Sequence, residues 1–351
     1  MIKHDKHIVI VRSSILRLSS LSLVSSAAIV NVLSKHYVKV SVATVNNLSD
    51  LEAVLDIQPD LIFMGMKYVY SDVNNQADSD ARIWLADFFD AHDIAYTGSN
   101  QLAHELELDK SLAKIRVQQA GLATSKFQVI ACGDEARFNP GLNFPLFVKP
   151  TNRGGGVGID QASVVNNVNE LSAKVSAIVD ELRADSLVEE YLPGREFSVA
   201  ILRQYDSEIY DVMPIELVAE ADDKGFRMLS EAVKLSNIEQ VVAVSNSKLR
   251  RAVNDLAIKV FMALGARDYG RIDIRLDAKG QPHFLEANLI PSLIDDYGSF
   301  PKASRLNLGL DHETMLMQIV ELGLLRTVTA EIDETDSIIE PFIGAELLAI
   351  S

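Results

Sequence analysis

Short apolar runs alternate with helix-like patterns over the first hundred residues. Runs rich in branched residues fill residues 7–11, 38–43, 60–65 and 94–99. Between the last two runs, the apolar residues Ile83, Leu85, Phe88 and Phe89 recur near the period of a helix. Strands that alternate with helices in this way predict a parallel sheet with crossover helices.

The pattern changes after about residue 110, where glycines, long helices and closely spaced strands follow. The predicted helices cover residues 109–120, 168–182 and 248–264, and the predicted strands lie within 127–131, 145–150 and 187–218. Residues 220–237 are polar and have no clear period, which is typical of a long functional loop. Two alternating segments flank the turn at residues 278–280 and predict a β-hairpin. A second lobe therefore begins near residue 110.

Composition and charge exclude several classes of protein. The chain has 351 residues, of which 48% are hydrophobic and 23% are charged, as in a globular protein of two or three packed lobes. Its 33 basic and 49 acidic residues give a net charge of −16, which repels nucleic acids and anionic membrane surfaces. We therefore expect no nucleic-acid partner and no membrane partner. A nucleotide site would have to gather positive charge locally.

Cysteine usage and the apolar runs indicate the compartment. Cys132 is the single cysteine, so neither an internal disulfide nor a cysteine-based zinc or iron–sulfur site is available. The apolar run near the N-terminus is too short for a signal peptide, and no run has the length of a membrane span. The expected location is the cytoplasm.

A glycine-rich segment carries the first candidate chemistry. Lys149 ends a predicted strand, and Gly154, Gly155, Gly156 and Gly158 follow it. Glycines let backbone N–H groups approach phosphate oxygens, and a nearby ammonium neutralises these oxygens. The spacing matches neither a Walker loop nor a GxGxxG dinucleotide turn. Taken alone, the segment would be interpreted as a flexible hairpin tip.

Three glutamates flank a predicted turn about forty residues later. Glu189 and Glu190 lie on the first strand, and Glu196 opens the second. The backbone next to Leu192 can pair with an adenine, and Glu196 can accept hydrogen bonds from both ribose hydroxyls. In isolation, such a group of glutamates more often forms a solvated rim.

The hairpin near residue 280 carries the most specific pattern. Glu286 and Asn288 share one face of a strand, and a hairpin can bring Asp273 opposite them. Three oxygen ligands among apolar positions are costly without a cation, and magnesium that bridges ATP phosphates supplies one. Arg271 lies on the same face as Asp273, where it can stabilise a developing oxyanion. The alternative is a structural ion-pair cluster of Arg271 with the acids.

Five sequence blocks carry a family resemblance. They cover residues 109–125, 144–159, 187–202, 269–293 and 300–303. In order and spacing they resemble the D-alanine–D-alanine ligase branch of the ATP-grasp superfamily, from about Thr97 to Leu325. The resemblance implies an α/β ATP-grasp fold that grips ATP between antiparallel sheets. The implied parts are an N-terminal parallel α/β lobe (1–98), a central lobe (99–192), a C-terminal lobe with the metal site (193–325) and an acidic tail of no assigned role (326–351).

The resemblance implies roles for residues of an ATP site. Lys110 and Lys149 resemble the two lysines that bind ATP phosphates. Gly155 and Gly156 stand in the phosphate-binding loop, where the family has paired serines. The implied adenine contacts are Glu189 and the backbone of Glu190 and Leu192, and the implied ribose acceptor is Glu196.

The resemblance also implies a metal site and a catalytic arginine. Asp273, Glu286 and Asn288 match the family's magnesium ligands. Two magnesium ions are implied, for which manganese can substitute. Arg271 matches the arginine that steadies the tetrahedral intermediate.

Substrate-facing positions depart from the family pattern. The family's N-terminal glycine turn and amine-binding glutamate are absent, since residues 6–49 contain no acid. Leu235 follows Lys234 where the family has a tyrosine, and Ser292 and Ser299 mark two further altered positions. These departures argue against D-alanyl-D-alanine as the product.

The altered N-terminal stretch contains its own candidate residues. Arg12, Ser13 and Arg17 lie where a predicted strand gives way to a helix. Arginines and hydroxyls at such a point favour an anionic ligand. An equal alternative is two solvated arginines beside a serine-rich helix start. Under the first interpretation, the first substrate presents an anion where the family binds an amine.

The leading hypothesis is an ATP- and magnesium-dependent ligase that joins a carboxylic acid to an amino acid through an acyl phosphate, with an altered substrate pair. D-Alanine–D-alanine ligase itself is the first alternative. The others are an ATP-grasp enzyme that activates bicarbonate or a nucleotide precursor, and a non-catalytic ATP-binding protein. The expected partners are these small molecules, and a homodimer is left open.

Overall fold

The computed structural model describes residues 2–15, 18–71, 81–134, 137–220 and 240–333. Arg17, Lys234, Leu235 and the segment from residue 334 onward lie outside these ranges. The described residues form one parallel sheet, a small hairpin and two larger antiparallel sheets. This arrangement confirms the predicted α/β fold class.

The N-terminal part is built on a parallel sheet. Strands β1 (His4–Arg12), β2 (Tyr37–Thr44) and β3 (Leu61–Met64) pair in the order β2-β1-β3. Helices α1 (Leu23–Leu33) and α2 (Leu48–Leu55) connect these strands. A hairpin of β4 (Tyr68–Tyr70) and β5 (Arg82–Trp84) and the short helix α3 (Leu85–Asp90) follow. Three of the four strands predicted here are confirmed.

The strand predicted over residues 94–99 is wrong. Tyr96 forms only an isolated parallel bridge with Ile62, and the chain then turns at Gly98, where φ is 84°. This positive φ ends the extended geometry. Ile83, which was expected in a helix, lies in β5 instead.

The second sheet is antiparallel and has four strands. Helices α4 (Gln101–Leu108) and α5 (Lys110–Gln119) precede this sheet. Its strands are β6 (Phe127–Ile130), β7 (Leu146–Pro150), β8 (Val164–Val165) and β9 (Ser186–Glu190). Helix α6 (Val168–Leu182) connects β8 to β9. The strand order is β6-β9-β7-β8. Helix α6 packs Leu171, Val175 and Ile178 into the core of this sheet. The helices predicted over 109–120 and 168–182 are confirmed.

The third sheet is antiparallel and has five strands. It consists of β10 (Glu196–Arg203), β11 (Tyr210–Val218), β12 (Gln240–Ala243), β13 (Tyr269–Leu276) and β14 (Pro282–Asn288), in the order β12-β11-β10-β13-β14. Helix α7 (Ser247–Ala263) packs on one face, and α8 (Ser299–Leu308) and α9 (His312–Asp333) lie on the side of the parallel sheet. The helix predicted over 248–264 and the hairpin at residue 280 are confirmed.

One hydrophobic core joins the parallel sheet to the third sheet. Ile10 of β1, Ile215 of β11, Tyr269 of β13, Phe300 of α8 and Leu316 of α9 are all buried in it. Burying each such side chain contributes about 1.5–3 kcal/mol, so these two sheets are held firmly together. The second sheet has a separate core. None of the described helices combines the length and apolar character needed to cross a membrane.

Candidate active site

Two cavities between the sheets share one carboxylate. The inter-sheet cavity lies between the second and third sheets and is lined by residues that include Lys149, Glu189, Glu196 and Glu286. The large cavity, of about 850 Å³, extends from the β4–β5 hairpin to the start of α8. Asp273 lines both cavities. Ligands in the two cavities would therefore meet at this residue.

Glu189 is a buried carboxylate held between two lysines. Its Oε1 lies 2.6 Å from Lys149 Nζ, and its Oε2 lies 2.7 Å from Lys114 Nζ. Burial alone would raise the pKa of Glu189, but the two ammonium groups hold it well below its usual range. Burial opposes the charge on Lys149, yet Glu189 raises the pKa of Lys149. The predicted adenine contact thus has its carboxylate engaged with two lysines, and its role toward adenine stays a prediction.

Lys114 is a residue of this site that sequence analysis missed. Its side chain is fully buried, and Nζ donates to Thr124 Oγ1 at 2.6 Å and to Ser125 Oγ at 3.0 Å. Burial lowers the pKa of Lys114. Lys114 follows Lys110 by one turn of α5, so the two lysines lie on one helix face. This spacing is the signal that could have identified it.

Lys110 is positioned by the start of α5. Asp109 caps the helix by accepting hydrogen bonds from the backbone N–H groups of Ser111 and Leu112. Lys110 Nζ then donates to the carbonyl of Arg153 at 2.5 Å and lies 3.6 Å from Glu286 Oε2. The helix start, the glycine segment and β14 therefore converge around one ammonium group.

The glycine segment borders the large cavity. Gly154 and Gly155 line it, and the φ values of Gly155 and Gly156 are 68° and 85°. This left-handed backbone region favours glycine, which explains glycine at positions 155 and 156. A Cβ built on Gly155 would meet nothing within 4 Å. At Gly155 the requirement for glycine is therefore backbone conformation rather than lack of space.

Glu196 lies on the other wall of the inter-sheet cavity. The register of β10 and β13 places it opposite Arg275, whose Nη1 lies 3.2 Å from Glu196 Oε2. Arg275 Nη2 also donates to the hydroxyl of Tyr191 at 2.9 Å. Glu190 and Leu192 line the same cavity. The structure therefore brings the predicted adenosine contacts together.

Asp273 accepts hydrogen bonds on both of its oxygens. Arg271 donates from Nε to Oδ1 and from Nη2 to Oδ2, each at 3.0 Å. Ser198 Oγ donates to Oδ1 at 2.8 Å, and Asn288 Nδ2 donates to Oδ2 at 3.2 Å. The register of β13 and β14 places Asp273 opposite Glu286 and Arg271 opposite Asn288. The predicted hairpin geometry is confirmed.

The donor set of this cluster fits a hard cation. Asp273 and Glu286 offer carboxylate oxygens and Asn288 offers an amide oxygen, which are ligands that magnesium takes. Among the described residues, no three His, Cys, Asp or Glu side chains converge on one point, so phosphate or water oxygens would complete a coordination shell. The pairing of Arg271 with Asp273 is also the contact that the ion-pair alternative predicts. Metal binding at these residues therefore stays a prediction.

Two predicted substrate residues line the large cavity. These are Ser292 and Ser299, which lie just before and at the start of α8. The Oγ of Ser292 is buried and has no hydrogen-bond partner among the described residues. Lys234, the third substrate candidate in the C-terminal half of the chain, lies outside the described residues.

The N-terminal candidates lie elsewhere. Arg12 and Ser13 are buried and line neither cavity. Arg12 Nε donates to the carbonyl of Leu21 at 3.4 Å, and Ser13 Oγ donates to Asn46 Oδ1 at 2.7 Å. Arg17 is outside the described residues. Both side chains are engaged in local contacts at the end of β1, so the structure does not bring them to the cavities.

The large cavity contains an ion pair that sequence analysis missed. Lys67 Nζ lies 2.8 Å from Glu107 Oε1, and His104 Nδ1 lies 3.1 Å from Glu107 Oε2. Glu107 Oε1 also accepts a hydrogen bond from the backbone N–H of Leu289 at 2.8 Å. Burial would raise the pKa of Glu107, but Lys67 and His104 lower it to about 2. Lys67 lies between β3 and β4, whereas Glu107 lies in α4, and no motif marks the two residues.

Sequence comparisons identify relatives over much of the chain. Residues 116–321 match the family described as D-ala D-ala ligase C-terminus. The uncharacterized protein y4sG of Sinorhizobium fredii is 34% identical over 57% of this chain and 58% of its own length. The D-alanine--D-alanine ligase of Dechloromonas aromatica is 31% identical over 66% of this chain and 72% of its own length.

Solved structures share the fold. A D-alanine--D-alanine ligase from Bacillus anthracis, complexed with ATP, aligns with a TM-score of 0.70 and 19% identity over 93% of this chain and 99% of that chain. The D-alanine-D-alanine ligase from Coxiella burnetii aligns with a TM-score of 0.66 and 15% identity over 94% and 97% of the two chains. At these identities the likeness establishes the architecture alone.

Proposed function

We propose that this chain, which belongs to the D-alanine–D-alanine ligase family of ADP-forming ATP-grasp enzymes, joins a carboxylic acid to an amino acid with ATP and magnesium. The observation that carries the proposal is the position of Asp273 on the walls of both cavities. A nucleotide in the inter-sheet cavity and an acid in the large cavity would meet beside this residue. Transfer of a phosphoryl group needs such a meeting point.

The inter-sheet cavity suits ATP. Glu190 and Leu192 border the proposed adenine position, and Glu196 is the proposed acceptor for the ribose hydroxyls. Lys149 and Lys110 supply the positive charge that phosphates require in a protein of net charge −16. Magnesium, held by Asp273, Glu286 and Asn288, would neutralise the phosphate oxygens.

The first step forms an acyl phosphate. An oxygen of the acid attacks the terminal phosphorus of ATP, and the bond to the bridging oxygen breaks to release ADP. Lys110 and Lys149 hold the phosphates in line with the attacking carboxylate. Their contribution is orientation and neutralisation of charge, which dominate in phosphoryl transfer.

The second step forms the amide. The nitrogen lone pair of the amino acid attacks the acyl carbon, and the carbonyl oxygen becomes an oxyanion. Arg271 is the proposed donor to this oxyanion, since it lines the large cavity and its guanidinium contacts Asp273. Collapse of the intermediate expels phosphate, and the nitrogen loses a proton.

The proposed substrate pair differs from two D-alanines. Among the described residues that line the large cavity, the carboxylates are Glu107 and Asp273. Each is already paired with a cation, Lys67 at 2.8 Å and Arg271 at 3.0 Å. A free α-ammonium in a closed site needs a carboxylate or several acceptors. We therefore infer a first substrate whose amine is absent, blocked or held elsewhere.

The test is ADP and product formation under saturating ATP and magnesium. D-Alanine alone is compared with N-blocked and larger acids, each paired with a panel of amino acids. We expect an acid without a free α-amine to give the fastest turnover. Fastest turnover with D-alanine alone would overturn the substrate pair but leave the ligase assignment intact. ATP binding without ADP release for any pair would instead favour the non-catalytic alternative.

A further inference from the structure

The β4–β5 hairpin brings a cation to the large cavity that the proposed chemistry does not use. Arg82 opens β5 opposite Tyr70 of β4 and lines the cavity. Its guanidinium carbon lies 5.0 Å from the centroid of the Tyr68 ring. Its Nε is buried and has no hydrogen-bond partner among the described residues. A buried donor without a partner is costly, and a ligand acceptor would satisfy it.

Aromatic rings hold this arginine in place. Tyr68 packs edge-on against Tyr70 and Trp84, with ring centroids 5.4 Å and 5.3 Å apart. Burial and a hydrogen bond with Tyr70 raise the pKa of Tyr68 to about 12, so its hydroxyl stays neutral. The hairpin therefore presents a fixed guanidinium beside two phenol groups. This combination recognises carboxylates and phosphates.

A second arginine faces the same region from the glycine segment. Arg153 also lines the large cavity, and its charge acts on Tyr68 together with that of Arg82. Arg153 donates to Asn152 Oδ1 at 2.7 Å and to the carbonyl of Leu182 at 3.1 Å. Both acceptors are neutral, so they orient the guanidinium without cancelling its charge.

The lining of the large cavity carries net positive charge, whereas the protein as a whole carries net negative charge. Among the described lining residues, the cations are Lys67, Arg82, Arg153, Arg183 and Arg271, and the carboxylates are Glu107 and Asp273. Five cations against two carboxylates leave an excess of three positive charges, in a chain of net charge −16. Because Lys67 and Arg271 are the partners of the two carboxylates, Arg82 and Arg153 contribute to the excess.

We propose that Arg82, with Arg153 and Tyr68, binds a second anionic group on the acid that the enzyme activates. The first substrate is then a dianion, either a dicarboxylic acid or a carboxylic acid that bears a phosphonate or phosphate. One carboxylate reacts near Asp273, and the other anion is held at the hairpin. This inference rests on the proposed ligase function and specifies its first substrate.

The test measures activation of the acid without its natural amine. The 351-residue protein is mixed with ATP, magnesium and hydroxylamine, which traps an acyl phosphate as a hydroxamate. The acids are straight-chain dicarboxylates from malonate to adipate, each beside its monomethyl ester, and ω-phosphono acids of matching length. We expect at least one dianion to show a kcat/KM about 10-fold or more above that of its ester, since one buried charge-assisted contact has that value. The phosphono acids distinguish the two kinds of second anion.

Variants locate the effect at the hairpin. Arg82→Gln should lower kcat/KM for the dianion toward that of its ester and so remove the preference, and Arg82→Lys should retain part of the preference. Arg251 is exposed on α7 and lines neither cavity, so Arg251→Gln is the matched control. Calorimetric titration of the preferred dianion, with a non-hydrolysable ATP analogue present, gives a readout independent of turnover.

Three outcomes would overturn the dianion subsite. The first is that no dianion has a higher kcat/KM than its own ester. The second is that folded Arg82→Gln binds the dianion as tightly as wild type does. The third is that Arg82→Gln raises the KM for ATP instead of the KM for the acid. In each case, ADP release with other acids would leave the ligase function standing. Absence of ADP release with every acid, including those of the wider panel, would remove the ligase function itself and the dianion subsite with it.

Discussion

Arg271 and Asp273 form a two-point ion pair in which Nε and Nη2 of the arginine each donate to a different carboxylate oxygen at 3.0 Å. Burial opposes the charge on Arg271, but Asp273 raises the pKa of the guanidinium. Both side chains are largely buried, so removing either one leaves a charge without its partner. Such a loss is costly for folding as well as for chemistry.

Replacing Arg271 should separate chemistry from nucleotide binding. We expect Arg271→Ala to lower the rate of amide formation by about 100-fold or more, with little change in the KM for ATP, because the proposed contact forms in the transition state. Steady-state assays of ADP release measure both quantities. Arg271→Lys keeps the charge but loses the two-point geometry, so its rate should lie between the rates of wild type and Arg271→Ala. A defect confined to the KM for ATP would contradict the assigned role.

The metal assignment predicts loss of turnover without loss of folding. Glu286→Gln and Asn288→Ala should each reduce magnesium-dependent turnover by about 100-fold or more, since each removes a proposed ligand. Both residues are half-buried at the edge strand β14, so thermal denaturation should change little. The matched control is Gln281→Ala in the hairpin turn, away from the cluster. Full turnover in both variants would contradict the metal site.

The buried pair of Lys114 and Glu189 predicts a difference in stability between two lysine variants. Lys114→Met should lower the free energy of unfolding by about 3 kcal/mol, because Glu189 would keep its charge in the interior with one cation fewer. Lys174→Met is the control, since Lys174 is also buried but pairs at 2.8 Å with Asp160, whose side chain is 62% exposed. That variant should lose no more than about 1 kcal/mol. Denaturant unfolding followed by circular dichroism tests the difference, and equal losses would count against a special role for Glu189.

Glu107 predicts a specific dependence of stability on pH. Its pKa is lowered from 4.5 to about 2, so the charged form is favoured in the folded state. The resulting stabilisation is complete above pH 4.5 and is lost as the pH falls toward 2. We expect wild-type protein to lose about 3 kcal/mol more than Glu107→Gln across this range. Unfolding curves at closely spaced pH values measure the two slopes, and parallel slopes would show that Glu107 is not the group responsible.

The hairpin of β13 and β14 was predictable because its determinants are local. A short turn with Gly280 joins two strands, and alternation of side chains then dictates which residues face each other. Asp273 therefore lies opposite Glu286, as the alternation predicts. Helix bounds were predictable for the same reason, since caps such as Asp109 act within one turn.

Other features depend on contacts between distant segments. Lys67 and Glu107 are 40 positions apart and meet only in the folded tertiary structure. Arg12 resembles a ligand-binding residue in sequence, but the return of the chain at Leu21 encloses it. No local sequence pattern marks Arg82, because its proposed role in anion binding depends on its position over the ring of Tyr68. Such environments follow from tertiary packing rather than from local pattern.

Asp273 has a thermodynamic consequence because it belongs to the walls of both cavities. A ligand in one cavity that changes the hydrogen bonds or charge of this carboxylate also changes the affinity of the other cavity for its own ligand. Linkage requires the effect to be mutual: the factor by which ATP alters the affinity for the acid equals the factor by which the acid alters the affinity for ATP. Titrating each ligand in the presence and absence of the other should give the same ratio of dissociation constants, and a ratio different from one is expected from the shared carboxylate.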